Sequence, residues 1–365
     1  MSESHSQGVA FREVRKVFAD GTTALEGLNL AFETGEFIVL LGPSGSGKTT
    51  ACRILAGLEA PTSGGVWVDG REITELPPRE RGMSMVFQNY ALYGHRSVYD
   101  NIAYPLRIRG KARGEIDSLV RRTAAMLDIE RLLDRRPRQL SGGEAQRVAV
   151  ARALVWQPEI CLMDEPLSNL DALLRLQTRT ELKRLHRELG TSFVFVTHDQ
   201  EEAMTLGTRI AVLNRGRLVQ FDTPKQIYRR PATRFVAEFI GRPAMNTIEG
   251  EIRDGLFRAG PLTVSAEGRA DGPVVLGVRP EQLLLAGGEA DGQADDGPAG
   301  GGDFEVDVVE TVEPDTLVFL RAAGVSLIVR AMYELGGLAP GDRVRVAFPP
   351  EALHFFDAES GERLS

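Results

Sequence analysis

The chain has 365 residues, with 43 Lys and Arg against 51 Asp and Glu, a net charge of −8, and 42% hydrophobic residues. That composition excludes a disordered chain, and the length fits two domains, each large enough for its own core. No run approaches the roughly 18 consecutive apolar residues of a membrane span, and Met1-Ser-Glu-Ser-His-Ser-Gln7 lacks the basic and apolar segments of a secretory signal.

The charge is unevenly placed. Residues 1–240 hold 33 basic and 29 acidic side chains, whereas residues 241–365 hold 10 and 22. The asymmetry predicts two units with different tasks, 1–240 and 241–365. An acidic balance gives no electrostatic reason to expect a nucleic-acid partner. Cys52 and Cys161 lie in apolar segments without metal-ligand spacing, which reads as buried thiols in a reducing compartment.

In chain order, Phe18 comes first, beside a glycine turn and ahead of the apolar runs. It is a candidate for stacking on a base, with a core phenylalanine as the alternative. The runs Phe37–Leu41, Ser84–Phe87, Ile160–Met163, Phe193–Val196 and Ile210–Leu213 alternate with helical stretches. Continuous apolar strands separated by helices predict a parallel sheet covered on both faces. Apolar spacing predicts helices over 115–135 and 172–189.

Directly after the first run stands Gly42-Pro43-Ser44-Gly45-Ser46-Gly47-Lys48-Thr49-Thr50. Strand, glycine loop and helix in this order form a phosphate cradle: backbone N–H groups and the helix dipole hold a polyphosphate. Lys48 neutralises β- and γ-phosphates, and the Thr49 hydroxyl is a ligand for Mg²⁺. Gln88, at the end of the second run, is placed to reach Mg²⁺ or the attacking water.

Leu140-Ser141-Gly142-Gly143-Glu144 precedes a helical run, and Ser141 with Glu144 is a capping-box pattern. The paired glycines leave open N–H groups, a second anion site. One nucleotide does not need two such sites from distant parts of one chain. A head-to-tail dimer resolves this, with the second site of each copy capping the nucleotide of the other. Next, Ile160–Met163 ends in Asp164 and Glu165, where open α/β sheets bind ligands. Asp164 suits the Mg²⁺ shell, and Glu165 suits polarising a water against the γ-phosphate. His198 follows the strand Phe193–Val196 on the same sheet edge, and a neutral imidazole there bonds the γ-phosphate or the water.

After Pro243 short alternating runs replace the helical ones: Thr247–Ile252, Val274–Val278, Phe304–Val309, Thr316–Leu320, Leu327–Val329 and Val344–Phe348. They predict a small β-barrel or sandwich. Residues 286–303, nearly free of apolar side chains, read as a mobile loop. The acidity concentrates between Glu281 and Leu320, and it should keep the distal unit away from an anionic membrane surface.

The order Gly42–Thr50, Gln88, Leu140–Glu144, Asp164-Glu165, Leu167-Ser-Asn-Leu-Asp171 and His198 resembles the nucleotide-binding subunit of an ATP-binding cassette (ABC) transporter over residues 9–240. The resemblance implies an α/β P-loop NTPase cassette with a helical subdomain at about 89–155, using ATP and Mg²⁺. It implies that Ser141–Gly143 meet ATP in trans, and that Ser168–Asp171 links the two sites of the dimer, with Asp171 in the communicating position. Val86-Phe-Gln-Asn-Tyr-Ala-Leu-Tyr93, Val196-Thr-His-Asp-Gln-Glu-Glu-Ala-Met204, Phe239-Ile-Gly-Arg-Pro-Ala-Met-Asn246 and Gly277-Val-Arg-Pro-Glu281 look like importer ATPases of the maltose and glycerol-phosphate type. In that group the tail is an OB-like, all-β TOBE domain.

The implied partners are a second copy or a close paralogue, two membrane-spanning permease subunits and, through them, an extracytoplasmic solute-binding protein. The implied place is the cytoplasmic face of a membrane. Two departures stand out: Glu144-Ala145 replaces the usual polar pair of the signature, and Gly94-His-Arg96 replaces Pro-His-Leu. A carboxylate near ATP phosphates opposes binding unless the capping box turns it away. The alternatives are a soluble ABC ATPase acting on ribosomes or DNA, and the ATPase of an iron, polyamine or sulfate importer.

Overall fold

Val9, Phe11, Val14, Leu28, Leu30 and Phe32 are buried between more exposed neighbours, the pattern of strands with one face on a core. They build β1 (Gly8–Val17) and β2 (Thr23–Glu33), an antiparallel pair that the search for continuous apolar runs passes over. The computed structural model describes residues 8–286, 300–312, 314–331 and 337–364. β3 (Phe37–Leu41), fully buried, opens a second sheet and is followed by α1 (Lys48–Ala56). β4 (Ser63–Val68) and β5 (Arg71–Glu72) complete the first sheet in the order β2-β1-β4-β5.

After β6 (Met83–Val86) comes a helical stretch: α2 (Val98–Ile108), α3 (Arg113–Met126) and α4 (Gly142–Leu154). The helix expected over 115–135 is shorter. It ends at Met126, because Asp128 takes a left-handed φ of 53° and the chain continues as a single 3₁₀ turn at Glu130–Leu132. Leu127, Ile129 and Leu132 are still buried, so the apolar spacing reflects packing rather than a continuous helix.

The second sheet resumes with β7 (Ile160–Asp164), then α5 (Ala172–Leu189), β8 (Ser192–Thr197), α6 (Gln200–Leu206), β9 (Arg209–Asn214) and β10 (Arg217–Asp222). Its order is β10-β9-β3-β8-β7-β6. β3 and β6 to β9 run parallel, and β10 closes one edge antiparallel. Ile38, Leu40, Val194 and Val196 pack against Ala51, Cys52 and Leu55 of α1 and against Phe11 and Leu28 of the first sheet. Each Val, Leu, Ile or Phe among them, fully buried, contributes roughly 1.5–3 kcal/mol. Cys52 and Cys161 are buried free thiols, and burial pushes Cys161 up to about 12.

The chain divides into two compact units between Lys225 and Gln226, earlier than the expected 240/241. The reason is visible in the second unit. Arg279 is 2% exposed, and its guanidinium donates to the carbonyls of Tyr228, Ala237 and Ile240. These lie on or beside α7 (Pro224–Arg229) and α8 (Arg234–Phe239), which therefore pack with the β-rich tail.

That tail is one antiparallel sheet among the described residues. It holds β11 (Asn246–Arg253), β12 (Leu256–Ala259), β13 (Leu262–Ser265), β14 (Gly272–Val278), β15 (Leu284–Ala286), β16 (Gly301–Val312), β17 (Asp315–Ala322), β18 (Val325–Ala331), β19 (Arg343–Ala347) and β20 (His354–Asp357). Its core is mostly aliphatic, with Phe257, Phe304, Phe348 and Phe355 set among Val, Leu and Ile side chains. Of the loop expected over 286–303, Ala286 instead ends β15 and Gly301–Asp303 begin β16. Residues 287–299 lie outside the described residues.

Candidate active site

The turn between β3 and α1 requires its glycines. Gly45 and Gly47 take φ values of 76° and 99°, and a Cβ on Gly42 or Gly47 would stand 2.2 Å from the Leu213 carbonyl or 2.4 Å from that of Ala24. No side chain caps the first turn of α1, so its N–H groups and dipole are left for a ligand. A cavity of about 300 Å³ opens over this turn, lined by Phe18, Thr22–Ala24, Ser44–Thr50 and Glu165. Gly42 and Pro43 do not line it and support the loop from behind. Phe18, at the rim, is 38% exposed, with the Lys16 ammonium 5.1 Å from its ring.

Lys48 is 5% exposed and donates to the carbonyls of Gly42 and Pro43, both at 2.8 Å, and to Ser46 Oγ at 3.4 Å. Burial holds its ammonium below the ordinary lysine range, against the pull of Glu165 and Asp164. The parallel register carries the end of β7 to the same edge, where Thr49 Oγ1 donates to Asp164 Oδ1 at 2.9 Å. Burial raises the Asp164 carboxyl, opposed by the bond from Thr49. Glu165 turns off the strand with a left-handed φ of 46°, rare for a residue with a side chain and a mark of functional strain. Its Oε1 lies 3.5 Å from His198 Nδ1, which arrives from the end of β8.

Gln88 does not line the cavity. Its amide donates to Ser168 Oγ at 3.4 Å, and Ser168 Oγ donates to the Glu165 carbonyl at 2.9 Å, so Gln88 is one side chain removed from Glu165. Asn169 Nδ2 closes the link by donating to the Gln88 carbonyl at 3.1 Å. Asp171 caps α5, accepting from the Leu174 N–H at 2.9 Å.

Ser141–Glu144 do not line the cavity of their own chain. Ser141 caps α4, and the capping box is complete: the Glu144 carboxylate accepts the Ser141 N–H at 2.9 Å and pairs with Arg131 at 3.2 Å. The bond from the Ser141 backbone, foremost, holds Glu144 below the usual carboxylate range. Its charge is therefore turned back onto its own helix. Gly142 is exposed, and Gly143 is buried against Leu174, whose Cδ2 would stand 2.5 Å from a Cβ there.

Sequence reasoning assigned no role to Arg175, Thr197 or Glu202. With Glu165, Ser168, His198 and Asp199 they line a cavity of about 50 Å³. Thr197 Oγ1 donates to Glu202 Oε2 at 2.5 Å and accepts the Asp199 N–H at 2.9 Å, fixing the turn that carries His198. Arg175, four residues beyond Asp171, lies 3.8 Å from both Asp199 and Glu202. Two acidic residues opening a helix after His198-Asp199 were the only local signal.

Residues 25–168 match the ABC transporter family model, and residues 276–356 match that of the TOBE domain. The sn-glycerol-3-phosphate import ATP-binding protein UgpC of Salmonella typhi is 44% identical over 98% of this chain and 99% of its own length. UgpC of Cereibacter sphaeroides is 48% identical with the same coverage. Among solved structures, the ATP-binding cassette MJ0796, described as a dimer in a post-hydrolysis state bound to ADP and Pi, matches with a TM-score of 0.54 and 33% identity. It covers 59% of this chain and 98% of the cassette. The chain belongs to the ABC transporter family, as an ATP-hydrolysing subunit of the import type that carries a TOBE domain.

Proposed function

We propose that the chain binds ATP across the Gly42–Thr50 loop and hydrolyses it at Glu165 to drive uptake of a glycerol-phosphate or sugar-type solute. One observation carries this reading: Lys48, Thr49, Asp164, Glu165 and His198 converge on one sheet edge, with Thr49 2.9 Å from Asp164 and Glu165 3.5 Å from His198. The solute class follows the relatives' names.

The triphosphate takes the Lys48 ammonium from the Gly42 and Pro43 carbonyls, and the loop N–H groups close on it. Phe18 stacks on the base. Thr49, Asp164 and Gln88 are the sparse hard-oxygen donor set that Mg²⁺ accepts beside phosphate oxygens, and the bound ion would neutralise charge on the β- and γ-phosphates. Glu165 accepts a proton from the attacking water, while His198 holds the γ-phosphate.

Ser141–Gly143 of a second copy cap the same phosphates, and Asp171 links the paired sites. Closure of this dimer moves two permease subunits on the cytoplasmic face of the membrane, which receive solute from a binding protein. Among the described residues no helix is long and apolar enough to cross a membrane.

The test is Glu165→Gln. It binds ATP and loses roughly a hundredfold or more in turnover; near-normal hydrolysis by this variant refutes the assignment. Assembled with its permease and binding protein, the wild-type chain should hydrolyse ATP faster with sn-glycerol 3-phosphate or a sugar. No response to either refutes the solute class.

A further inference from the structure

The segment after Gln88 is held in an unusual way. Tyr90 and Ala91 both take left-handed φ values, 60° and 47°, a conformation that side-chain-bearing residues avoid and that two in succession rarely share. Their two carbonyls are gripped by one side chain from α4. Arg152 Nη2 donates to Tyr90 O, and Nη1 donates to Ala91 O, both at 2.8 Å. The guanidinium also lies 5.6 Å from the Tyr93 ring. Tyr93 is held in turn by Asn101, which is fully buried: Oδ1 accepts the Tyr93 N–H at 2.8 Å, and Nδ2 donates to Tyr93 O at 3.2 Å. At its other end the segment is tied to the residues after Glu165, through the bonds of Gln88 with Ser168 and Asn169.

We infer that Arg152 is a positioning residue that clamps this strained turn into a strut. It carries a displacement of Gln88 at the nucleotide to α4 and hence to Ser141–Gly143. Strain of this kind persists only where the surroundings over-determine it, and here the Arg152 fork adds to the backbone bonds from Tyr90 N–H to Phe87 O and from Ala91 N–H to Asn89 O. The planar fork matters, because it reaches two carbonyls at once where a lysine ammonium reaches one. Arg152 lines neither cavity near Glu165, so its loss leaves nucleotide contacts in place. The inference rests on the proposed closure of Ser141–Gly143 over a second copy's nucleotide.

The experiment uses the full chain in the Glu165→Gln background, with ATP-driven dimerisation followed by light scattering. Glu165→Gln alone dimerises with ATP. Adding Arg152→Gln raises the ATP concentration needed at least about tenfold, while binding of a fluorescent ATP analogue to the monomer shifts less than about threefold. Arg152→Lys falls between the two. Adding Ala91→Gly to the Arg152→Gln variant recovers part of the closure, because glycine holds a left-handed turn without a clamp. Dimerisation of the Arg152→Gln variant at the parent's ATP concentration overturns the inference. So does parallel loss of nucleotide binding and melting temperature without rescue by Ala91→Gly, which makes Arg152 a folding residue. If Glu165→Gln itself stays monomeric, the dimer reading falls. The clamp is then judged by ATP hydrolysis of Arg152→Gln, where kcat falls about tenfold at constant KM or the inference fails.

Discussion

The Thr49 hydroxyl donates to Asp164 Oδ1 at 2.9 Å across 115 residues of sequence, fastening the first turn of α1 to the end of β7. Asp164→Asn separates the two tasks of this carboxylate. The amide keeps an acceptor for Thr49 and relieves a buried charge, so the melting temperature should stay level or rise by a few degrees. Hydrolysis should drop roughly a hundredfold, and nucleotide affinity should lose its dependence on Mg²⁺. Undiminished turnover would remove Asp164 from the site.

The Lys48 ammonium donates to two carbonyls of its own loop, those of Gly42 and Pro43. Lys48→Ala deletes both the tie and the charge meant for the phosphates. ATP affinity should fall at least about tenfold, equivalent to about 1.4 kcal/mol. A fluorescent-nucleotide titration giving an affinity within twofold of wild type contradicts the role.

The Glu144 carboxylate accepts the Ser141 N–H in a complete capping box. Glu144→Gln keeps an acceptor for the Ser141 N–H, so hydrolysis should change by less than about threefold. Glu144→Ala loses the reciprocal bond and should melt a few degrees lower. The carboxylate is held below its ordinary range, so its contribution is present above that range and lost as pH falls through the folded value. A tenfold rise in hydrolysis for Glu144→Gln would show that the charge does face the nucleotide.

His354, 6% exposed in the second unit, is pushed down to about 4, first by burial and then by the charges of Arg363 and Arg279. The unfolded imidazole binds a proton near pH 6.5, whereas the folded one stays neutral until about pH 4. Stability is therefore full above the upper value and falls as pH drops through the window, by on the order of 3 kcal/mol. His354→Phe should flatten that dependence in melts recorded between pH 7.5 and pH 4.5. An unchanged slope places the acid sensitivity elsewhere.

Most of the candidate site's sheet edge was legible in the sequence because each element is local. A glycine loop, two strand-end carboxylates and a strand-end histidine announce themselves within a few residues. Phe18, whose two readings are base stacking and core packing, stands at the cavity rim and is 38% exposed. The antiparallel pair of β1 and β2 was not legible as apolar runs, since one face of each strand is polar. The Arg152 fork had no local signature, and the Arg175–Glu202 contact had only the acidic pair that opens α6. They join residues brought together only by the fold, as the separation of 61 between Ala91 and Arg152 illustrates. The excess length given to α3 has a similar cause: apolar spacing records burial, and Leu132 is buried beyond the helix end.

Arg279 sets the smallest portable form of the tail. Its cation has lost its water and is compensated by the carbonyls of Tyr228, Ala237 and Ile240. Any graft of this β-sheet onto another cassette must bring those three peptide groups along, or it strands a charge in a dry interior. The splice point that nature or an engineer can use therefore lies ahead of the two short helices, not at the Pro243 where the sequence changes character.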